Sequence, residues 1–248
     1  MSGDGAYVDA GGVTTYYESH GEGEPLLLLH GGLCTIETFF GQTPELANRY
    51  RVVLPERRGH GRTADVDGPI TYDAMASDTV AFMEALGIES AHLVGYSDGA
   101  IVGMLVAMRR PELVRRLVSI SGNFDCDGLT EEGRAFIETA QPEPFVPMLV
   151  DMYKKTNPDG PEHWPVVFEK MRRMFLSEPK IPPAELGSIK APTLVMAADR
   201  DLMTLEHTLA LFQAVPNALL CIVPGTTHAL LFEKAAAVNA AVLGFLGG

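Results

Sequence analysis

The pentapeptide Gly95-Tyr96-Ser97-Asp98-Gly99 follows a short apolar run, Ala91 to Val94, and opens a helical pattern from Asp98 to Arg110 that stops before Pro111. A buried strand can pass straight into a helix only through a very tight turn, and flanking glycines make room for both chains. The apex residue, Ser97, is then held in strained backbone geometry with its hydroxyl projecting from the sheet. The helix behind it supplies free N–H groups and positive potential. Ser97 is therefore a candidate nucleophile; the bland alternative is a serine at an ordinary turn or helix cap.

The same strand-helix grammar runs through most of the chain. Ala6 to Ala10 and Val13 to Ser19 flank Gly11-Gly12 as a hairpin. Pro25 to His30 and Tyr50 to Pro55 read as buried strands, with a helix over Thr35 to Arg49 between them. Tyr72 to Leu86 forms a helix stopped by Gly87, and Leu113 to Ile120 is a further strand. Later come strand Thr193 to Ala197, helix Leu205 to Ala214, strand Ala218 to Val223 and a last helix from His228 to Leu246. Such alternation predicts an α/β fold, a mostly parallel sheet with helices on both faces. Residues 127–186 break the rhythm with nine prolines and short helical pieces. They are read as a helical cap over the carboxyl edge of the sheet, inserted into a core of residues 1–126 and 187–248.

At 248 residues and 46% apolar, the chain can bury a substantial core. Its 32 acidic against 19 basic residues give a net charge of -13, a surface that repels phosphate backbones and anionic lipid. No nucleic-acid or membrane partner is expected. Cys34, Cys126 and Cys221 are widely spaced and form no C-x-x-C pair, as in a reduced cytoplasmic protein. The first six residues have neither a basic nor an apolar leader segment, and no apolar run approaches membrane-spanning length. Nothing in the sequence announces an oligomeric interface.

A serine needs a base to become a nucleophile. His228, in Pro224-Gly-Thr-Thr-His228, lies between the last strand and the last helix and is the candidate. His60 is read as shaping a loop, as is His30 at its strand end; His20, His92, His163 and His207 have no motif around them. The base needs a carboxylate partner. Asp201 and Asp199 compete for that role after the strand at Thr193, with Asp201 preferred because it lies further into the loop; Asp125 is a remote third. Oxyanion donors are expected from the N–H groups of Gly32 (alternatively Leu33) and Asp98, since glycine brings backbone close to a reacting carbonyl. No metal-binding grouping such as H-E-x-x-H is present, and no cofactor or metal is expected.

Four segments together carry a resemblance: His30-Gly31-Gly32-Leu33, Glu56-Arg57-Arg58-Gly59-His60-Gly61, the serine motif, and the Asp201…His228 pair. From Tyr16 to Leu246 the chain resembles a small capped α/β-hydrolase, which implies an eight-stranded, mostly parallel sheet and a Ser97-Asp201-His228 triad. Related dehalogenases and epoxide hydrolases place aspartate at the nucleophile position, which Ser97 argues against. Proline iminopeptidases usually have tryptophan where Asp98 stands. The Ser-Asp-Gly run is similar to that of the biphenyl-hydrolase-like amino-acid ester hydrolases. That similarity implies an amine-binding role for Asp98, against which stands a structural salt bridge.

The expected activity is hydrolysis of a small carboxylic ester or lactone through an acyl-Ser97 intermediate, with Phe145 and Trp164 of the cap among the substrate-binding residues. Competing readings are a slow-turnover small-molecule receptor on the same fold, or a hydrolase of amides, thioesters or carbon–carbon bonds.

Overall fold

A computed structural model describes residues 5–248; the start of the N-terminal stretch read above as lacking a leader, 1–4, lies outside the described residues. The hairpin consists of β1 (Ala6–Ala10) and β2 (Val13–His20), with Gly11 and Gly12 both at positive φ in the turn. The first crossovers run β3 (Glu24–Leu29), α1 (Thr43–Leu46), β4 (Tyr50–Pro55), α2 (Tyr72–Ala85), β5 (Ala91–Tyr96), α3 (Asp98–Arg109) and β6 (Val114–Ile120). Next come α4 (Glu131–Thr139), α5 (Pro147–Thr156), α6 (Trp164–Ser177) and α7 (Pro183–Leu186). The chain ends with β7 (Thr193–Arg200), α8 (Leu205–Ala214), β8 (Ala218–Thr227), α9 (Leu230–Glu233) and α10 (Ala235–Leu246).

The eight strands form one sheet in the order β1-β2-β4-β3-β5-β6-β7-β8, antiparallel only where β2 meets β1 and β4. The leucine run of β3 explains its central place. Leu27 and Leu29 point into the core shared with Met75 and Phe82 of α2 and Met104 of α3, while Leu26 and Leu28 point into the core shared with Val238 and Val242 of α10. A strand buried on both faces must be apolar at every position, and each such leucine contributes about 1.5–3 kcal/mol.

Two helices differ from the sequence reading. The one expected over Thr35 to Arg49 is a 3-10 turn, Ile36–Phe39, followed by α1. Gly41 interrupts it, and Pro44 lacks the N–H that would continue the preceding turn. The last helix is split at Lys234, whose backbone (φ −139°) is not helical and whose ammonium donates to the Pro224 carbonyl.

Between β6 and β7 lie the helices α4, α5 and α6, and Trp164, Phe168 and Met171 of α6 share a hydrophobic cluster with Leu27 and Leu29 of β3. An isolated bridge between Asp125 and Lys180 closes their base. Further on, α7 packs on α3 and α8, so the last part of 127–186 lies against the core. Trp164 is fully buried between α5 and α6, against Tyr153 and Phe168, and its Nε1 donates to the Pro142 carbonyl at 2.8 Å. Asp65, in the loop after β4, accepts from His163 at 2.9 Å and from Lys170 of α6 at 2.7 Å. Among the described residues, no helix is long and apolar enough to cross a membrane.

Candidate active site

The carboxyl ends of β3, β5, β6, β7 and β8 bring five loops to one edge of the sheet. At the end of β5, Ser97 has φ +53° and ψ −118°, a strained conformation for a non-glycine residue. The glycines around it are sterically required. A Cβ on Gly95 would lie 2.2 Å from the carbonyl oxygen of Gly99, and one on Gly99 would lie 1.9 Å from that of Leu29. The first turn of α3 thus rests directly on the end of β3.

Three side chains far apart in sequence meet there. His228 Nε2 lies 3.0 Å from Ser97 Oγ, and His228 Nδ1 lies 2.6 Å from Asp201 Oδ1. Because an ionised carboxylate only accepts, the neutral ring carries its proton on Nδ1 and offers Nε2 to the serine hydroxyl. Asp201 also accepts from Ser121 Oγ and from the amides of Ala198 (3.1 Å) and Leu202 (2.8 Å). Burial opposes its ionisation, but the bonds from His228, Ser121 and Ala198 outweigh that and hold its pKa below the usual aspartate range. Asp199 does something else: its carboxylate accepts the amides of Gly225 (2.8 Å) and Thr226 (3.0 Å), just before His228. Asp125 accepts from the amide of Asp127 and does not reach His228.

Several participants have roles that no sequence motif specifies, Tyr96 among them although it stands at a variable place of the serine motif. The Tyr96 hydroxyl donates to the His228 carbonyl at 2.8 Å, and its ring lies against the imidazole at 5.3 Å between centroids. Ser121, the residue after β6, stands at φ +51°, a strain visible only in the backbone. Tyr72, the first residue of α2, donates its hydroxyl to Asp98 Oδ1 at 2.9 Å.

Asp98 is 4% exposed, and its Oδ2 has no hydrogen-bond partner among the described residues. Burial raises its pKa to about 6, against the opposing pull of the Arg57 guanidinium and the Tyr72 hydroxyl. Gly32 lies beside it: a Cβ there would come within 2.5 Å of Asp98 Oδ2 and 2.6 Å of Phe175 Cζ. The N–H groups of Gly32 and Asp98 find no acceptor among the described residues, whereas that of Leu33 donates to His60 Nε2 at 3.0 Å. Of the two loop donors weighed from sequence, Leu33 is thus committed elsewhere and Gly32 is free.

Ser97, Asp98, His228 and Gly32 open onto a cavity of about 270 Å³ whose far wall comes from α4, α5 and α6. Phe145, Leu149, Phe168 and Phe175 make that wall apolar, and Arg172 and Glu178 also line the cavity. Phe145, one of the two cap residues expected to bind substrate, is thus part of the cavity wall. Trp164 does not line the cavity: its indole is consumed in packing the α5–α6 contact, which corrects the expectation that it touches substrate.

Comparison with known proteins agrees with this architecture. A family model described as "Alpha/beta hydrolase family" matches residues 26–241. A protein of Caulobacter sp. (strain K31) named "Putative carbamate hydrolase RutD" is 31% identical over 262 residues, covering 94% of this chain and 96% of its own. Among solved structures, a serine hydrolase involved in carbazole degradation, the CarC enzyme, superposes with a TM-score of 0.82 at 25% identity, covering 99% of both chains. The N-acyl homoserine lactone degrading enzyme Est816 superposes with a TM-score of 0.80 at 25% identity, over 97% of this chain and 100% of its own. With its strand order, its strained turn after β5 and a family match reaching from β3 into α10, the chain belongs to the α/β-hydrolase family.

Proposed function

We propose that the protein is a serine hydrolase that cleaves a small carboxylic ester or lactone through an acyl-Ser97 intermediate. The observation that carries the reading is the continuous contact Ser97–His228–Asp201 beside the free N–H of Gly32. As Ser97 Oγ adds to the substrate carbonyl, His228 Nε2 takes its proton, and Asp201 holds the imidazolium that results. The carbonyl electron pair moves onto oxygen, where the amides of Gly32 and Asp98 receive it. Collapse expels the alcohol oxygen, which takes the proton from His228. Water then gives a proton to His228 and attacks the acyl carbon; collapse breaks the bond to Ser97 Oγ, which takes that proton back as the carboxylic acid leaves.

The three helices between β6 and β7 serve as a cap in this reading, their aromatic wall selecting an apolar group of modest size. The RutD, CarC and Est816 names support small-molecule hydrolysis in general and leave bond type to be assigned by the site.

Asp98 favours one refinement. Among the described residues it makes no direct ion pair, the buried Arg57 guanidinium acting on it only through space, and its unpartnered Oδ2 lies beside the oxyanion donors. A carboxylate there repels the developing oxyanion, and a cation carried by the substrate would add to the partial compensation that Arg57 supplies. We read Asp98 as the binding group for a protonated amine on the acyl side, with Tyr72 fixing its orientation.

The experiment is a panel of p-nitrophenyl acyl esters, lactones and amino-acid esters assayed with wild type and Ser97→Ala. Multiple turnovers with wild type and none with Ser97→Ala are expected. Turnover that survives the substitution removes Ser97 from the mechanism.

A further inference from the structure

The loop after β4 holds two buried side chains that the mechanism does not use, and both reach the turn that carries Gly32. Arg57 is 4% exposed; its guanidinium donates to the carbonyl of His30 and, at 3.0 Å, to that of Gly31. His30 takes part as well. Its Nε2 accepts the amide of Arg57, so its proton is on Nδ1 and is donated to the Gly31 carbonyl at 2.8 Å. His60 acts one peptide further on, where its Nε2 accepts the amide of Leu33 while Nδ1 donates to the Arg58 carbonyl at 2.8 Å. Burial, aided by Arg57, lowers the His60 pKa to about 3, which keeps Nε2 available as an acceptor.

The geometry of one peptide plane follows. The Gly31–Gly32 bond is trans, so its C=O and N–H point in opposite directions. Fixing the Gly31 oxygen on Arg57 and His30 turns the Gly32 N–H away from them. The next amide, Leu33, is pulled back by His60, and Leu33 is held at φ +56°, a conformation that a leucine keeps only under constraint. Neither Arg57 nor His60 lines the cavity.

We propose that Arg57 and His60 are positioning residues for acyl transfer: together they hold the Gly31-Gly32-Leu33 turn so that Gly32, and not Leu33, presents its N–H to the reacting carbonyl. This rests on the Ser97 reading above and adds to it the residues that make the oxyanion donor point the right way.

The test uses p-nitrophenyl butyrate for turnover and trifluoroacetophenone for binding. Ser97 adds to the ketone, His228 takes the hydroxyl proton, and the resulting hemiketal oxyanion occupies the place of the transition-state oxygen. The matching trifluoromethyl carbinol has the same shape and cannot form that adduct. Arg57→Met and His60→Leu should each lower kcat about 100-fold, as loss of one oxyanion donor does, with KM changed less than about threefold. Ketone affinity should fall with kcat/KM while carbinol affinity stays constant, and His60→Gln, whose amide oxygen can accept from Leu33, should recover most of the loss. Ketone and carbinol affinities that fall together, or a loss of kcat that only tracks the unfolded fraction, would overturn the proposal. Should Arg57→Met fail to fold, the two His60 variants decide. A wild type that binds ketone no better than carbinol overturns both this proposal and the Ser97 reading. Discrimination kept unchanged in every variant overturns this proposal alone.

Discussion

Asp199 receives the amide of Thr226 at 3.0 Å, so this carboxylate holds the loop that delivers His228, while Asp201, two residues on, meets the imidazole itself. The two acids flank Arg200 at the end of β7 and divide the placing of His228 between them. Asp201→Asn presents an amide where His228 needs an acceptor for its Nδ1 proton, and turnover of p-nitrophenyl butyrate should fall about 10⁴-fold. Asp199→Asn keeps one oxygen for the loop amides and should cost less than about tenfold. Steady-state kinetics of the two variants check the assignment; the opposite ranking would exchange the roles.

Ser97 occupies backbone space that glycine adopts freely. Ser97→Gly should therefore abolish turnover and raise stability by about 1–2 kcal/mol, since strain of this kind costs about 1–3 kcal/mol. Urea denaturation measures the gain. A variant as stable as wild type would mean that the turn is held without cost.

The pKa of Asp98, about 6 in the fold against a usual 3.8, links charge to both stability and binding. The folded state holds this proton more tightly than the unfolded chain. The stability it contributes is complete below about pH 4 and is lost as pH rises through 6. Asp98→Asn removes that loss, so relative to wild type the variant should gain about 2 kcal/mol between pH 4 and pH 8, measured by denaturation at the two pH values. Binding has the opposite sense. For an amino-acid ester, KM in wild type should fall as pH rises through about 6, because the amine is recognised by the ionised form. A flat profile, or one unchanged in Asp98→Asn, would remove the amine-binding role.

Phe145 and Trp164 separate lining from packing. Phe145→Ala enlarges the cavity and should shift preference toward longer acyl chains, read from kcat/KM across an ester series. Trp164→Ala empties a buried site and should cost about 3–5 kcal/mol of stability. At temperatures where the variant remains folded, its chain-length preference should match that of wild type.

Much of this was legible in the sequence for local reasons. The turn at Ser97 needs glycines that no other residue can replace, so it announced itself. The leucine run of β3 could only be a strand buried on both faces. Its place in a loop favours Asp201 over Asp199, yet what separates them is the donor each carboxylate accepts, the His228 ring for Asp201 and the Thr226 amide for Asp199, and both donors lie 25 or more residues away. No motif specifies the roles of Tyr72, Tyr96 and Ser121, because what gives them those roles is the register of neighbouring strands and the seating of a helix. The packing role of Trp164 is hidden from the sequence for a related reason. An aromatic residue in an apolar helical segment can face a cavity or a neighbouring helix, and only the fold of the segment decides.

The seating of α3 on β3, with no side chain between Gly99 and the end of the strand, has a bearing on how such a molecule can diversify. The serine and the glycine turn opposite it ride on one rigid mount, whose spacing is set by main chain against main chain. Substitutions in the helices overhead can reshape what is admitted without altering that spacing. New specificities are thus reachable by drift in one part of the chain while the bond-breaking part stays fixed.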